Sequence, residues 1–91
     1  MNKKEVALIT GGGTGIGFAI AKKLHSMNKT VVLTGRRKEK LLQAKKILKT
    51  RCHILEHDIS RLETIPKLVI DIEKKIGPIN YLINNAGIHL R

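Results

Sequence analysis

A chain of 91 residues with 42% apolar and 27% charged side chains has room for one small domain with a modest core, and is too apolar to remain disordered. Its net charge of +11 favours anionic partners, yet one Tyr, one Phe and lysines scattered over polar helix faces argue against a nucleic-acid binder, which needs a basic stripe and stacking rings. The single cysteine, Cys52, excludes an internal disulfide and points to a reducing, cytoplasmic home, and no apolar run is long enough for a membrane span or the core of a signal peptide.

Glu5-Val6-Ala7-Leu8-Ile9 is short and rich in branched side chains, which predicts a buried parallel strand over residues 5 to 10. Thr10-Gly11-Gly12-Gly13-Thr14-Gly15-Ile16-Gly17 follow. They open a helix expected over residues 15 to 27, with Ile16, Ala19, Ile20 and Leu24 sharing its inward face. Thr30 to Thr34 read as a second strand, bounded by Asn28 and Gly35, and Arg36-Arg37 begin the next connection. A second helix is expected over residues 38 to 49, turning Leu41, Leu42, Ala44, Ile47 and Leu48 inward and its lysines outward.

The third strand is expected from Cys52 to Glu56, with His57-Asp58-Ile59-Ser60 leading out of it. Ser60 and Glu63 have capping-box spacing, so a third helix is expected to begin there, its apolar stripe running Leu62, Ile65, Val69, Ile72, Ile76. Pro66 falls in the first turns, where it does not break the helix, and Gly77-Pro78 ends it. Ile79 to Ile83 form the fourth strand, running into Asn84-Asn85-Ala86-Gly87. His53 and His57 lie four residues apart on a strand, about 13 Å, too far to share a metal, so no metal site is expected. Cys52 is expected to be packed rather than reactive, and no partner is evident for His25 or His89.

Alternating strands and helices with short connections imply a parallel α/β sheet. Right-handed crossovers then place the strands in the order 3-2-1-4, a Rossmann-type doubly wound arrangement with two helices on one face and the third on the other. Such sheets bind ligands at the carboxyl ends of the strands where the winding reverses, between strands 1 and 4. The glycine turn opens there. A helix N-terminus entered through glycines presents unpaired N–H groups and the positive end of the helix dipole, a natural place for a phosphate.

The spacing is not G-x-G-x-x-G, because Ile16 and Phe18 stand where the last glycine would be. Nor does Gly-Lys-Ser/Thr follow, which excludes a P-loop. Thr10, Gly11, Gly15 and Gly17 fit T-G-x-x-x-G-x-G. Together with Gly35-Arg36-Arg37 after strand 2, Asp58-Ile59 after strand 3 and Asn84-Asn85-Ala86-Gly87 after strand 4, this resembles the cofactor-binding half of the short-chain dehydrogenase/reductase family.

The resemblance implies a role for each motif. Backbone N–H groups around Gly13, Thr14, Gly15 and Ile16 would hold the pyrophosphate of a nicotinamide dinucleotide, with Gly11 shaping the turn and Gly17 letting the helix pack on the sheet. Asp58 would accept from the adenine amino group while Ile59 covers the ring; Asn85, Ala86 and Gly87 would lie along the ribose near the nicotinamide, and Asn84 would tie strands 1 and 4 together. Asn80 stands where many relatives carry Asp. Family members selective for NAD place an acid at the tip of strand 2, whereas Arg36 and Arg37 suit the 2′-phosphate of NADP(H). Thr14 departs from the basic residue that relatives selective for NADP often carry.

The implied activity is that of a carbonyl reductase or alcohol dehydrogenase, homo-oligomeric when intact, acting on a small carbonyl or hydroxyl substrate. The family's chemistry uses a Ser and a Tyr-x-x-x-Lys. Tyr81 is the only tyrosine, and Asn85 stands four residues after it, so the catalytic portion is expected beyond Arg91 and these 91 residues alone are expected to be inactive. A non-catalytic nucleotide-binding remnant is the alternative, and a basic nucleic-acid-binding protein a more remote one. An apolar strip and an open strand 4 are also expected to leave the chain marginally stable and prone to associate.

Overall fold

A computed structural model describes residues 4–58 and 61–85. Four parallel strands, β1 (Val6–Thr10), β2 (Thr30–Gly35), β3 (Cys52–Glu56) and β4 (Ile79–Asn84), lie in the order β3-β2-β1-β4. Between them run α1 (Gly15–Ser26), α2 (Lys38–Leu48) and α3 (Ile65–Lys75), the last preceded by a 3-10 turn at Leu62–Thr64. Thr10 is level with Thr34 on one side and Asn84 on the other, so the carboxyl ends of β1, β2 and β4 share one edge of the molecule.

The two central strands are apolar without alternation because both their faces are covered. Ala7, Ile9, Val31 and Leu33 pack with Ala21 of α1 and Leu41 and Ala44 of α2, whereas Val6, Leu8 and Val32 pack with Leu68 and Ile72 of α3. The expected α/β class, strand order and distribution of helices all hold. Among the described residues no helix is long and apolar enough to cross a membrane.

The helix faces need correction. In α1 the buried residues are Gly17 and Ala21, while Ile16 is 72% exposed and Ala19 is exposed as well. Small residues face the sheet here because the first turn of α1 lies directly on the glycine turn, which leaves no room for larger ones. In α2, Leu41 and Ala44 face inward, Leu48 is half-buried, and Leu42 and Ile47 are exposed. Five apolar residues over eight positions subtend more than one face, and only one of those faces meets the sheet. In α3 the deepest residues are Leu68 and Ile72, and Leu62 lies outside the helix and is exposed. The α-helix begins at Ile65, with Pro66 in its first positions, where a missing N–H costs nothing. Ser60, the expected cap, lies outside the described residues, as does His89.

α1 ends in a turn that the sequence marked only as a boundary. Asn28 takes a left-handed φ of 66°, its N–H donates to His25 O at 3.1 Å, and Lys29 N–H donates to Leu24 O at 3.1 Å, the paired bonds of a Schellman ending. His25, which showed no partner in sequence, has Nε2 2.6 Å from Thr50 O. Cys52 is buried, and that burial pushes its thiol pKa up.

At the amino ends of the strands, Lys29 donates to Glu5 Oε1, and Tyr81 Oη donates to Glu5 Oε2 at 3.3 Å. The Lys29 hydrogen bond holds the Glu5 carboxyl below its ordinary value of 4.5 and raises Lys29 above its own 10.5. A carboxylate depressed by folding contributes stability present above its unfolded pKa and lost as pH falls through the folded one. The raised lysine contributes stability present below 10.5 and lost at higher pH. Removing the cation as Lys29→Met is therefore expected to move the Glu5 titration upward and to flatten the loss of thermal stability below pH 4.5. NMR titration of the Glu5 carboxyl and melting curves across pH check this; an unmoved Glu5 midpoint would show that the pair does not form in solution.

Candidate functional site

The chain leaves β1 at Thr10 and turns through Gly11 and Gly15, both with left-handed φ of 65° and 57°, conformations that cost other residues roughly 1–2 kcal/mol. Gly12 is pinned to the tip of β2 by its N–H, which donates to Thr34 O at 3.1 Å. Gly13 lies against the start of α2, where a Cβ would meet Leu41 N and Cδ2 at 3.3 Å. Thr14 caps α1 in extended conformation (φ −145°) without a side-chain hydrogen bond to the helix, and no acid stands in the first turn. The leading N–H groups of α1 therefore face outward with neither a side-chain cap nor a local negative charge. Gly15 and Ile16 are exposed beside them.

Gly17 shows why the turn has this composition. A Cβ there would lie 2.3 Å from Gly11 O and 2.8 Å from Asn85 Nδ2, well inside contact distance. The first turn of α1 thus rests directly on the backbone of the turn that precedes it.

A hydrogen-bond knot joins this turn to β4. Asn85 N–H donates to Thr10 Oγ1 at 3.0 Å, and Asn85 Nδ2 donates to Gly11 O at 3.3 Å. The Thr10 hydroxyl lies 3.2 Å from Asn84 Oδ1 and 3.4 Å from Ile83 O, so its single proton is shared between these acceptors. Asn84 thereby ties β1 to β4, the place the family resemblance implies for it. Asn85 has a role that the motif did not reveal: its side chain is held in the glycine turn. The signal was a threonine and two asparagines at the ends of neighbouring strands, which neither periodicity nor glycine spacing brings out.

Two further tips complete the edge. Gly35 ends β2, and its carbonyl accepts from His57 N–H at 2.8 Å. Arg36 and Arg37 follow, both exposed. Arg37 O accepts from the Lys40 and Leu41 N–H groups in the first turn of α2 at 3.1 and 3.2 Å, and Arg37 Nε is 3.5 Å from Glu39 Oε1. Asp58 is half-buried beyond the end of β3, its carbonyl accepting from Arg61 N–H at 3.0 Å. His57, beside it, has Nε2 2.7 Å from Thr64 Oγ1, whose hydroxyl donates to Arg61 O at 2.7 Å. The imidazole is then the donor in that bond, and its buried Nδ1 has no hydrogen-bond partner among the described residues.

Gly11, Gly13, Thr14, Gly15, Ile16, Gly17, Arg36, Arg37, Asp58 and Asn85 thus all sit at the carboxyl end of the sheet. Ile59, Ala86 and Gly87 lie outside the described residues. Among the described residues no group of three or more His, Cys, Asp or Glu side chains is arranged to hold a metal ion. Tyr81 lies within β4, level with Ala7, with its hydroxyl on Glu5 at the opposite end of the sheet from the glycine turn.

Comparison with known proteins agrees with this geometry. The sequence pattern of the family described as short chain dehydrogenase matches residues 5–91. An uncharacterized oxidoreductase of Staphylococcus aureus is 37% identical over 84 residues, covering 91% of this chain and 36% of that protein. A short chain dehydrogenase from Bacillus anthracis superposes with a TM-score of 0.84 at 36% identity, covering 90% of this chain and 34% of that one. The crystal structure of a variant actinorhodin polyketide ketoreductase with NADPH superposes with a TM-score of 0.85 at 33% identity, covering 93% and 34%. The chain spans about a third of the length of these relatives. With the family pattern running through the glycine turn and all four strands, the chain belongs to the short-chain dehydrogenase family.

Proposed function

We propose that this chain is the NADP(H)-binding part of an oxidoreductase that moves a hydride between the nicotinamide and a small carbonyl or hydroxyl substrate. The observation that carries the reading is the α1 N-terminus. It is uncapped by side chains, free of acids in its first turn and entered through glycines at the point where the sheet reverses its winding. A pyrophosphate suits that place in charge and in hydrogen bonding, received by the backbone around Gly13, Thr14, Gly15 and Ile16. Gly11 and Gly17 set the path of the turn, Asp58 and Ile59 serve the adenine, and Asn85, Ala86 and Gly87 serve the nicotinamide ribose.

Arg36 and Arg37 favour NADP(H) over NAD. They stand at the tip of β2, where Gly35 brings no carboxylate; Arg37 is shared with Glu39, while Arg36 forms no ion pair among the described residues and offers a 2′-phosphate attraction, and one of the similar structures carries NADPH. When bound, the dinucleotide supplies or accepts the hydride; the residues of this chain hold and orient it. Proton transfer needs a positioned acid, and Tyr81, fixed to Glu5 at the far end of the sheet, is not one. The 91-residue chain is accordingly a binder without turnover, and the whole protein a cytoplasmic oligomer with its acid/base group elsewhere.

Exchanging Gly35 for Asp together with Arg36→Ala tests the assignment. A Cβ at Gly35 meets only Leu41 side-chain atoms at 3.6 Å or more, so the fold tolerates the change. Losing a charge-assisted hydrogen bond, worth about 1.5–3 kcal/mol, lowers NADPH affinity roughly tenfold to a hundredfold, while the new carboxylate gains the ribose 2′-OH of NADH. Calorimetric titration of both dinucleotides measures this, and an unchanged ratio of affinities would show that Arg36 does not read the phosphate.

A further inference from the structure

A concavity of about 560 Å³ lies on the α3 face of the sheet between α3 and β3. Its size is within the range of small-molecule sites, roughly 300–1,000 Å³. Leu55, Leu68, Ile72 and Ile76 provide an apolar floor. At the end formed by the start of β3 and the end of α3, basic side chains from four segments gather. Lys4 Nζ donates to Ile76 O at 2.8 Å and Lys45 Nζ to Cys52 O at 2.6 Å, while His53 and Lys75 line the wall.

Each ammonium group has three donors, and the bonds of Lys4 and Lys45 each use one. Two acids line the groove, but Asp71 is paired with Lys67 at 3.1 Å and Glu56 is the last residue of β3, at the other end. None of Lys4, Lys45, His53 and Lys75 forms an ion pair with a described residue. The excess of positive charge is felt locally: burial first, then Lys45 and Lys4, hold the His53 imidazole below its ordinary pKa. A neutralising anion placed there offsets the repulsion, and the floor beyond it takes hydrocarbon.

We propose that this groove binds an amphipathic carboxylate, its head group among Lys4, Lys45, His53 and Lys75 and its aliphatic chain over Leu68 and Ile72. The head-group end of the site, at the start of β3 and the end of α3, stands at the opposite end of the strands from the glycine turn.

Decanoate titrated into the purified chain, with the His53 ring and backbone amides followed by NMR, tests this. Inorganic phosphate and 1-decanol serve as probes of head and tail alone. Saturable binding of decanoate is expected, with the His53 titration midpoint moving upward and each control probe binding at least tenfold more weakly. Lys45→Gln with Lys75→Gln is expected to weaken decanoate at least tenfold. Lys75→Gln alone changes only an exposed helix residue and provides the same test in smaller measure if the double variant folds poorly. Lys46→Gln, outside the groove on α2, is expected to leave binding unchanged. Phosphate or decanol binding as well as decanoate, an unmoved His53, or affinity indifferent to Lys75→Gln would each overturn the proposal.

Discussion

Gly17→Ala is expected to cost the chain both stability and dinucleotide affinity. The added methyl would sit 2.3 Å from Gly11 O, and that oxygen belongs to backbone that cannot rotate aside as a side chain can. Either α1 lifts from the turn or the turn flattens, and both outcomes break the Asn85 Nδ2 bond to Gly11 O. Overpacking of this kind costs about 1–3 kcal/mol and sometimes more, a large share of the roughly 5–15 kcal/mol that holds an ordinary domain. The N–H groups that receive the pyrophosphate move with the helix, so affinity for NADPH falls by more than about tenfold, the equivalent of 1.4 kcal/mol. Gly15→Ala is the contrasting case: nothing lies within 4 Å of its Cβ, and only its φ of 57° resists the change. Urea unfolding and NADPH titration of the two variants distinguish close approach from backbone strain. Gly17→Ala with unaltered stability would show that the turn is looser than its geometry here.

The second large effect concerns the edge of the sheet. Among the described residues β4 pairs with β1 alone, and Leu82 on it is 63% exposed. Between β4 and α3 lies a groove of about 370 Å³ whose lining, including Leu8, Leu62, Ile65, Val69 and Leu82, carries no charged side chain. In a chain of net charge +11 this is a surface where two copies can meet without bringing lysines together, and an edge strand offers unpaired backbone to the encounter. The chain is therefore expected to associate as its concentration rises. Leu82→Lys puts a charge on the exposed edge and is expected to return it to the monomer mass of 10.2 kDa. Sedimentation equilibrium over a concentration series measures both, and a wild-type chain monomeric throughout would show that this surface is not adhesive.

How far the fold could be read in advance follows from what each signal depends on. β3 was legible from end to end as Cys52–Glu56, and the strand order followed from short connections and crossover handedness. Those are properties of local sequence and chirality. Which face of α1 turns inward is set by the contact of Gly17 with Gly11 O, a backbone approach that no hydrophobic pattern encodes, so Ile16 and Ala19 were expected inside and lie outside. Leu42 and Ile47 misled for a related reason, since α2 carries apolar residues on a face that the sheet does not reach. The start of α3 was placed too early because Leu62 matches the spacing of the stripe while its backbone is in a 3-10 turn.

The site divides in the same way. Glycine spacing marked the turn, and the residues after each strand marked its edge. The bonds of the Thr10 side chain with Asn84 and with the Asn85 backbone join residues distant in sequence and follow from strand register, while that of His57 with Thr64 follows from the path of the turn after β3.

The most direct test of the central claim is an NMR titration of the backbone amides with NADPH and, separately, with NADH. The account predicts saturable binding of both, tighter for NADPH, with the largest shifts at the amides of Gly13 to Gly17 and accompanying shifts at Arg36, Arg37 and Asp58. The amides of Glu5 and Lys29, at the opposite end of the strands, are predicted to stay in place. Shifts concentrated at that opposite end, or no saturable binding of either dinucleotide, would contradict it.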